Sequence, residues 1–92
     1  MKATKEEMVR VRQRLGLTQE KMAALLGVSF VSVNRWENGK SLPLRPVLDL
    51  YEAIDAALKS GRKPEAIVRA AAQERHLFLR RLFMMAYTPG GA

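Results

Sequence analysis

Cysteine is absent from this 92-residue chain, and histidine occurs once, as His76. The first absence excludes a disulfide framework, a cysteine-ligated zinc site and a thiol nucleophile, and it fits a reducing compartment. The lone histidine has no second metal-type ligand near it in sequence, so neither a metal site nor a cofactor is expected. There is no glycine-rich phosphate loop and no paired-ligand spacing on a helix face, and the serines lack a nearby base. Catalysis is therefore not expected of this chain. Long apolar runs are also missing. The longest, Leu82 to Tyr87, is six residues, against the roughly 20 that a membrane span needs. The opening Met1-Lys2-Ala3-Thr4-Lys5-Glu6-Glu7 has no apolar stretch after its lysines and does not read as a secretory signal. The protein is expected to stay where it is made.

What the chain has in excess is positive charge. Sixteen Lys and Arg face nine Asp and Glu, for a net charge of +7 and a pI near 10.4. Such a balance favours polyanionic partners, nucleic acid first and an anionic membrane second. The apolar fraction of 48% is that of a folded protein. The length suits one compact domain with an additional helix. A core this small is marginal alone, so stabilisation by a partner or a second copy is plausible.

The periodicity is helical throughout, and no stretch reads as a strand. Thr4 and Glu7 form a capping box, after which Met8, Val11 and Leu15 make one apolar stripe, ended by Gly16. Thr18 caps a second helix with Met22, Ala23 and Leu26 inward, and Gly27 stops it. Ser29 caps a third helix on which Val33 and Trp36 face inward together, and Asn38-Gly39 ends it. Leu17 and Met22, then Val28 and Val33, occupy hydrophobic-staple positions. After the loop Lys40 to Leu44, Pro46 suits the first turn of a fourth helix with Val47, Leu50, Tyr51, Ile54 and Leu58 on its stripe. Residues 59–63 are basic and polar and read as a hinge. Pro64 opens a fifth, amphipathic helix over 64–87, with Ile67, Ala71, Phe78, Leu82 and Met85 on one stripe, and 88–92 form a frayed tail. The expected fold is all-α: a compact four-helix domain over 1–58 plus the C-terminal helix.

Two short helices joined by a tight glycine-containing turn meet the geometric requirement of a helix-turn-helix, in which the first helix braces the DNA backbone and the second enters the major groove. Here they span about residues 18–38. The residues Leu17-Thr18-Gln19, Ala23, Gly27, Val33 and Trp36-Glu37-Asn38-Gly39-Lys40 resemble the signature of the phage-repressor (Cro and Xre-like) helix-turn-helix family, and the resemblance covers about residues 4–58. It implies a sequence-specific regulator of double-stranded DNA in a prokaryotic cytoplasm or nucleoid. By the same resemblance Ser29, Phe30, Val31, Asn34 and Arg35 occupy base-reading positions. Gln19, Ser32, Lys40 and Arg45 would contact phosphates, Gln19 also bracing a reading side chain, and Asn38 and Gly39 would offer backbone donors. Arg12 and Glu37 match a partly buried salt bridge that pins the first helix to the end of the third. The chemistry of the residues agrees. Arg35 can pair with guanine and Asn34 with adenine, while Phe30 and Val31 can only pack on thymine methyl groups. Reading by DNA shape, or a protein contact at Phe30, stays open.

The helix over 64–87 lies outside the resemblance. Its apolar stripe either folds back on the domain or forms a dimer interface, which two-fold binders of successive major grooves need. The surface cations Arg62, Lys63, Arg69, Arg75, Arg80 and Arg81 add backbone contacts or are a solvated face. The favoured function is a repressor binding a pseudo-palindrome as a homodimer. The alternatives are an antitoxin that represses its own operon and binds a toxin through the C-terminal segment, and a protein-docking module that binds no DNA. No membrane role is expected.

Overall fold

The computed structural model describes residues 2–74. Among them every regular element is a helix: α1 (Lys5–Leu15), α2 (Gln19–Leu26), α3 (Phe30–Glu37), α4 (Arg45–Lys59), and α5 over 64–74. The first three begin where a side-chain oxygen can take up an orphan backbone donor. Thr4 Oγ1 accepts from the Glu7 amide at 3.2 Å, Thr18 Oγ1 from that of Lys21 at 3.1 Å and Ser29 Oγ from that of Ser32 at 3.1 Å. At the start of α4, Leu44 makes no side-chain cap, and Pro46 lies in the first turn, where its missing N–H is no loss.

The stripes expected from the sequence meet in one core. Met8, Val11 and Leu15 of α1 pack with Met22, Ala23, Leu25 and Leu26 of α2, Val33 and Trp36 of α3, and Tyr51, Ile54 and Leu58 of α4. Trp36 meets Tyr51 edge-on, with ring centroids 6.4 Å apart, a favoured arrangement of aromatic quadrupoles. Leu17 and Val28, the two staple residues ahead of their caps, pack against this cluster from its rim, as do Val47 and Leu50. Two buried residues escaped the sequence reading. Leu25 adds a fourth contact to α2, and Asp55 sits on the core stripe of α4, where Lys59 Nζ reaches it at 3.0 Å.

Residues 59–63 form a hydrogen-bonded turn, in which the Ser60, Gly61 and Arg62 amides donate to the carbonyls of Ala56, Leu58 and Ala57. This turn returns α5 to the same core, and Ile67 and Ala71 are only 4% and 5% exposed there. The apolar surface of these two members of the expected dimer stripe is covered here by the chain's own helices. The other expected members, Phe78, Leu82 and Met85, lie outside the described residues, as do His76, Arg75, Arg80, Arg81 and the tail.

Candidate nucleic-acid interface

The interface is built on the α2–α3 junction. Gly27 ends α2 with φ at +73°, a left-handed conformation that residues with a Cβ rarely adopt. The Val28 amide then donates to Ala23 O at 3.0 Å, and Ser29 already caps the next helix. A reversal this short leaves the crossing of α2 and α3 little freedom. Met22, Ala23, Val33 and Trp36 hold the crossing from below as buried core.

A polar clamp holds it from the side. Arg12 Nε and Nη2 donate to the two carboxylate oxygens of Glu37, each at 2.8 Å, while Nη1 donates to Leu17 O at 2.9 Å. The Glu37 side chain is 4% exposed and that of Arg12 16%, so the pair works largely out of water and in a two-pronged geometry that fixes orientation. The hydrogen bond to Glu37 is the main cause that holds the Arg12 guanidinium above its ordinary pKa, with desolvation opposing it. One residue thereby ties α1, the loop before α2 and the end of α3 together. The expected pair is present, and it lies inside a longer network.

That network continues along α3. Gln19 Nε2 donates to Glu37 Oε1 at 2.9 Å, Asn34 Nδ2 donates to Gln19 Oε1 at 3.1 Å, and Asn38 Nδ2 donates to Asn34 O at 2.7 Å and Oδ1 at 3.2 Å. The Asn34 amide thus has both its oxygen and its nitrogen engaged within the protein. Each of the two groups keeps a second hydrogen or lone pair, so the network orients the Asn34 carboxamide and is compatible with the expected adenine contact. The part played by the Asn38 side chain was missed, although its i, i+4 spacing from Asn34 places the two on one helix face.

On α3 the buried Val33 and Trp36 define the inner side. At about 100° per residue, Val31 and Arg35 fall on the opposite side. Arg35 is exposed, Phe30 is 43% exposed and Val31 63%. Ser29 and Ser32 flank them at the start of the helix, their hydroxyls 2.9 Å apart. Four of the five expected base-reading residues thus share one exposed end and face, and the fifth, Asn34, is half-buried beside them.

The expected phosphate contacts divide. Lys40 is exposed just past the end of α3. Arg45 is exposed at the start of α4 but pairs with Asp49 at 3.0 Å, with Glu52 at 3.9 Å. Such surface pairs are weak, so Arg45 can exchange Asp49 for a phosphate. Gln19 turns its amide inward to the network. The backbone donors of Asn38 and Gly39 are corrected. Their amides donate to Asn34 O at 3.1 Å and Trp36 O at 3.1 Å, and that of Lys40 to Arg35 O at 2.9 Å, so the turn that ends α3 consumes them.

Two braced helices, the second presenting an arginine on an exposed face of a basic protein, define a DNA-binding helix-turn-helix protein. Comparison with known families agrees: the Helix-turn-helix family matches residues 9–54, half of the chain. The chain belongs to this family, in its Cro/Xre-type form, and is a DNA-binding regulator. No curated protein and no solved structure matches it.

Proposed function

We propose that this protein is a transcriptional repressor that binds a pseudo-palindromic operator as a homodimer and acts in a prokaryotic cytoplasm or nucleoid. In this reading α3 enters the major groove, Arg35 pairs with guanine, and Phe30 and Val31 pack on thymine methyls. Lys40, Arg45 and Ser32 contact the phosphates alongside. The observation that carries it is the division of α3 into two sides. One is locked by Val33, Trp36 and the Arg12–Glu37–Gln19 network, and the other leaves Arg35 exposed. Base reading needs a side chain held in place by its surroundings and yet unpartnered at its tip. A second copy is called for because recognition helices of this kind work in pairs, about 34 Å apart along the duplex.

The test is selection of bound duplexes from a random DNA pool, followed by sequencing. The expected result is enrichment of an inverted repeat with half-sites about one helical turn apart. Affinity should also fall steeply with salt, as displaced counterions dictate. Enrichment of a single half-site would remove the dimer from the proposal. Absence of enrichment by a folded protein would contradict sequence-specific binding and favour a protein-docking use of the same face.

A further inference from the structure

We infer that the leading end of α3 reads the C5-methyl group of pyrimidines as such, whichever base carries it, so that 5-methylcytosine substitutes for thymine at that position. The inference rests on the proposed placement of α3 in the major groove and names what its apolar residues recognise there.

Hydrogen-bonding groups around this end of the helix are already partnered. Ser29 Oγ accepts from the Ser32 amide at 3.1 Å and lies 2.9 Å from Ser32 Oγ. The carboxamide of Asn34 is occupied at its nitrogen by Gln19 and at its oxygen by Asn38. Asn38 Nδ2 is in turn committed to Asn34 O at 2.7 Å. The large side chains left exposed beside these internal hydrogen bonds are carbon, at Phe30 and Val31, and the guanidinium of Arg35. Val31 and Arg35 are i, i+4 neighbours and share one side of the helix. An apolar contact therefore stands next to the donor fork suited to guanine.

In the major groove thymine offers a carbonyl acceptor and a methyl group, whereas cytosine offers an amino donor. Phenylalanine and valine side chains neither donate nor accept, so they cannot tell the acceptor from the donor. They respond to the methyl alone. A methylated cytosine carries the same methyl at the same ring carbon. The favoured ligand is thus a methyl-bearing pyrimidine beside the guanine read by Arg35, supplied either by thymine or by enzymatic methylation of cytosine.

The two sources are separated with synthetic duplexes of the sequence enriched by selection. Each pyrimidine of a half-site is replaced in turn by thymine, uracil, cytosine or 5-methylcytosine, with its matching partner, and affinity is read by fluorescence anisotropy. At one position thymine and 5-methylcytosine are expected to bind about fourfold more tightly than uracil and cytosine, the size expected for covering one methyl-sized apolar group. Phe30→Ser and Val31→Ser, both at exposed positions and checked for folding by circular dichroism, should flatten that difference, lowering the affinity for the methyl-bearing duplexes to that for the uracil and cytosine ones. Equal binding of thymine and uracil at every position would overturn the inference and leave sequence-specific binding intact. So would a 5-methylcytosine duplex no better than its cytosine counterpart, which would show that thymine is read through its O4 carbonyl oxygen. A random pool that yields no enriched sequence would remove the groove placement itself, and the inference with it.

Discussion

The hydroxyl of Tyr51 is fully buried and has no hydrogen-bond partner among the described residues, and burial pushes its pKa well above the ordinary tyrosine value. A buried polar group left unsatisfied costs about 1–3 kcal/mol. Tyr51→Phe should therefore stabilise the protein by about 1 kcal/mol in urea unfolding followed through Trp36, the one tryptophan; a loss of stability would reveal a partner for the hydroxyl. The pH dependence has a definite sign. Above about pH 10 an unfolded tyrosine ionises while the folded one stays neutral, so the unfolded state binds fewer protons and stability falls as pH rises. The phenylalanine variant should lose that share of the alkaline decline. At Arg12 the expectation runs the other way. Arg12→Ala leaves the nearly buried Glu37 carboxylate without its cation and should cost about 3–5 kcal/mol, read as a lowered urea midpoint. The double replacement Arg12→Met/Glu37→Leu should cost much less. The Arg12–Glu37 pair was legible in the sequence only through the family signature, since nothing in a spacing of 25 residues announces a contact. The engagement of Asn34 was not legible. A carboxamide has the same donors and acceptors whether it faces a base or a glutamine, and only the fold decides which.

At the scale of elements, starts and stops were written in local chemistry. Thr4, Thr18 and Ser29 cap the helices they were expected to cap, and Gly16 and Gly27 end theirs with left-handed backbone. These signals act over three or four residues, which is why the sequence shows them. Burial partners are set by long-range packing, and there the reading was less complete. The stripe Tyr51, Ile54, Leu58 was evident, yet Asp55 lies on the same stripe and passed unnoticed because its charge argues for solvent. The apolar stripe of α5 was equally visible, but amphipathicity says that a face must be covered and not by what. Ile67 settles this for the described part of the helix, since it is buried within the chain. Ile67→Ala should accordingly lower stability by about 2–5 kcal/mol, by an amount independent of protein concentration between micromolar and hundred-micromolar samples. A loss that shrinks as concentration rises would place Ile67 between copies instead.

The whole molecule combines a small helical core with a net charge of +7. The charge supplies attraction to any duplex, falling with salt. Specificity must come from the few groups held rigidly at the exposed face of α3. Rigidity and exposure are supplied by different parts of the chain. Trp36, Val33 and the clamp through Arg12, Glu37 and Gln19 fix the helix, while Arg35 and the apolar pair Phe30 and Val31 stay exposed on it, the groups proposed to meet the bases. Removing the proposed phosphate contact Lys40 should weaken all sequences alike, whereas removing a base contact should relax discrimination. The most direct test of this division is the affinity of wild type and Arg35→Ala for an enriched duplex and for a scrambled one, measured at the same salt. The account predicts that the ratio of the two affinities falls at least fivefold in the variant, the lower end of what one bidentate base contact contributes, while binding to the scrambled duplex changes little. An unchanged ratio would show that α3 does not read bases through Arg35.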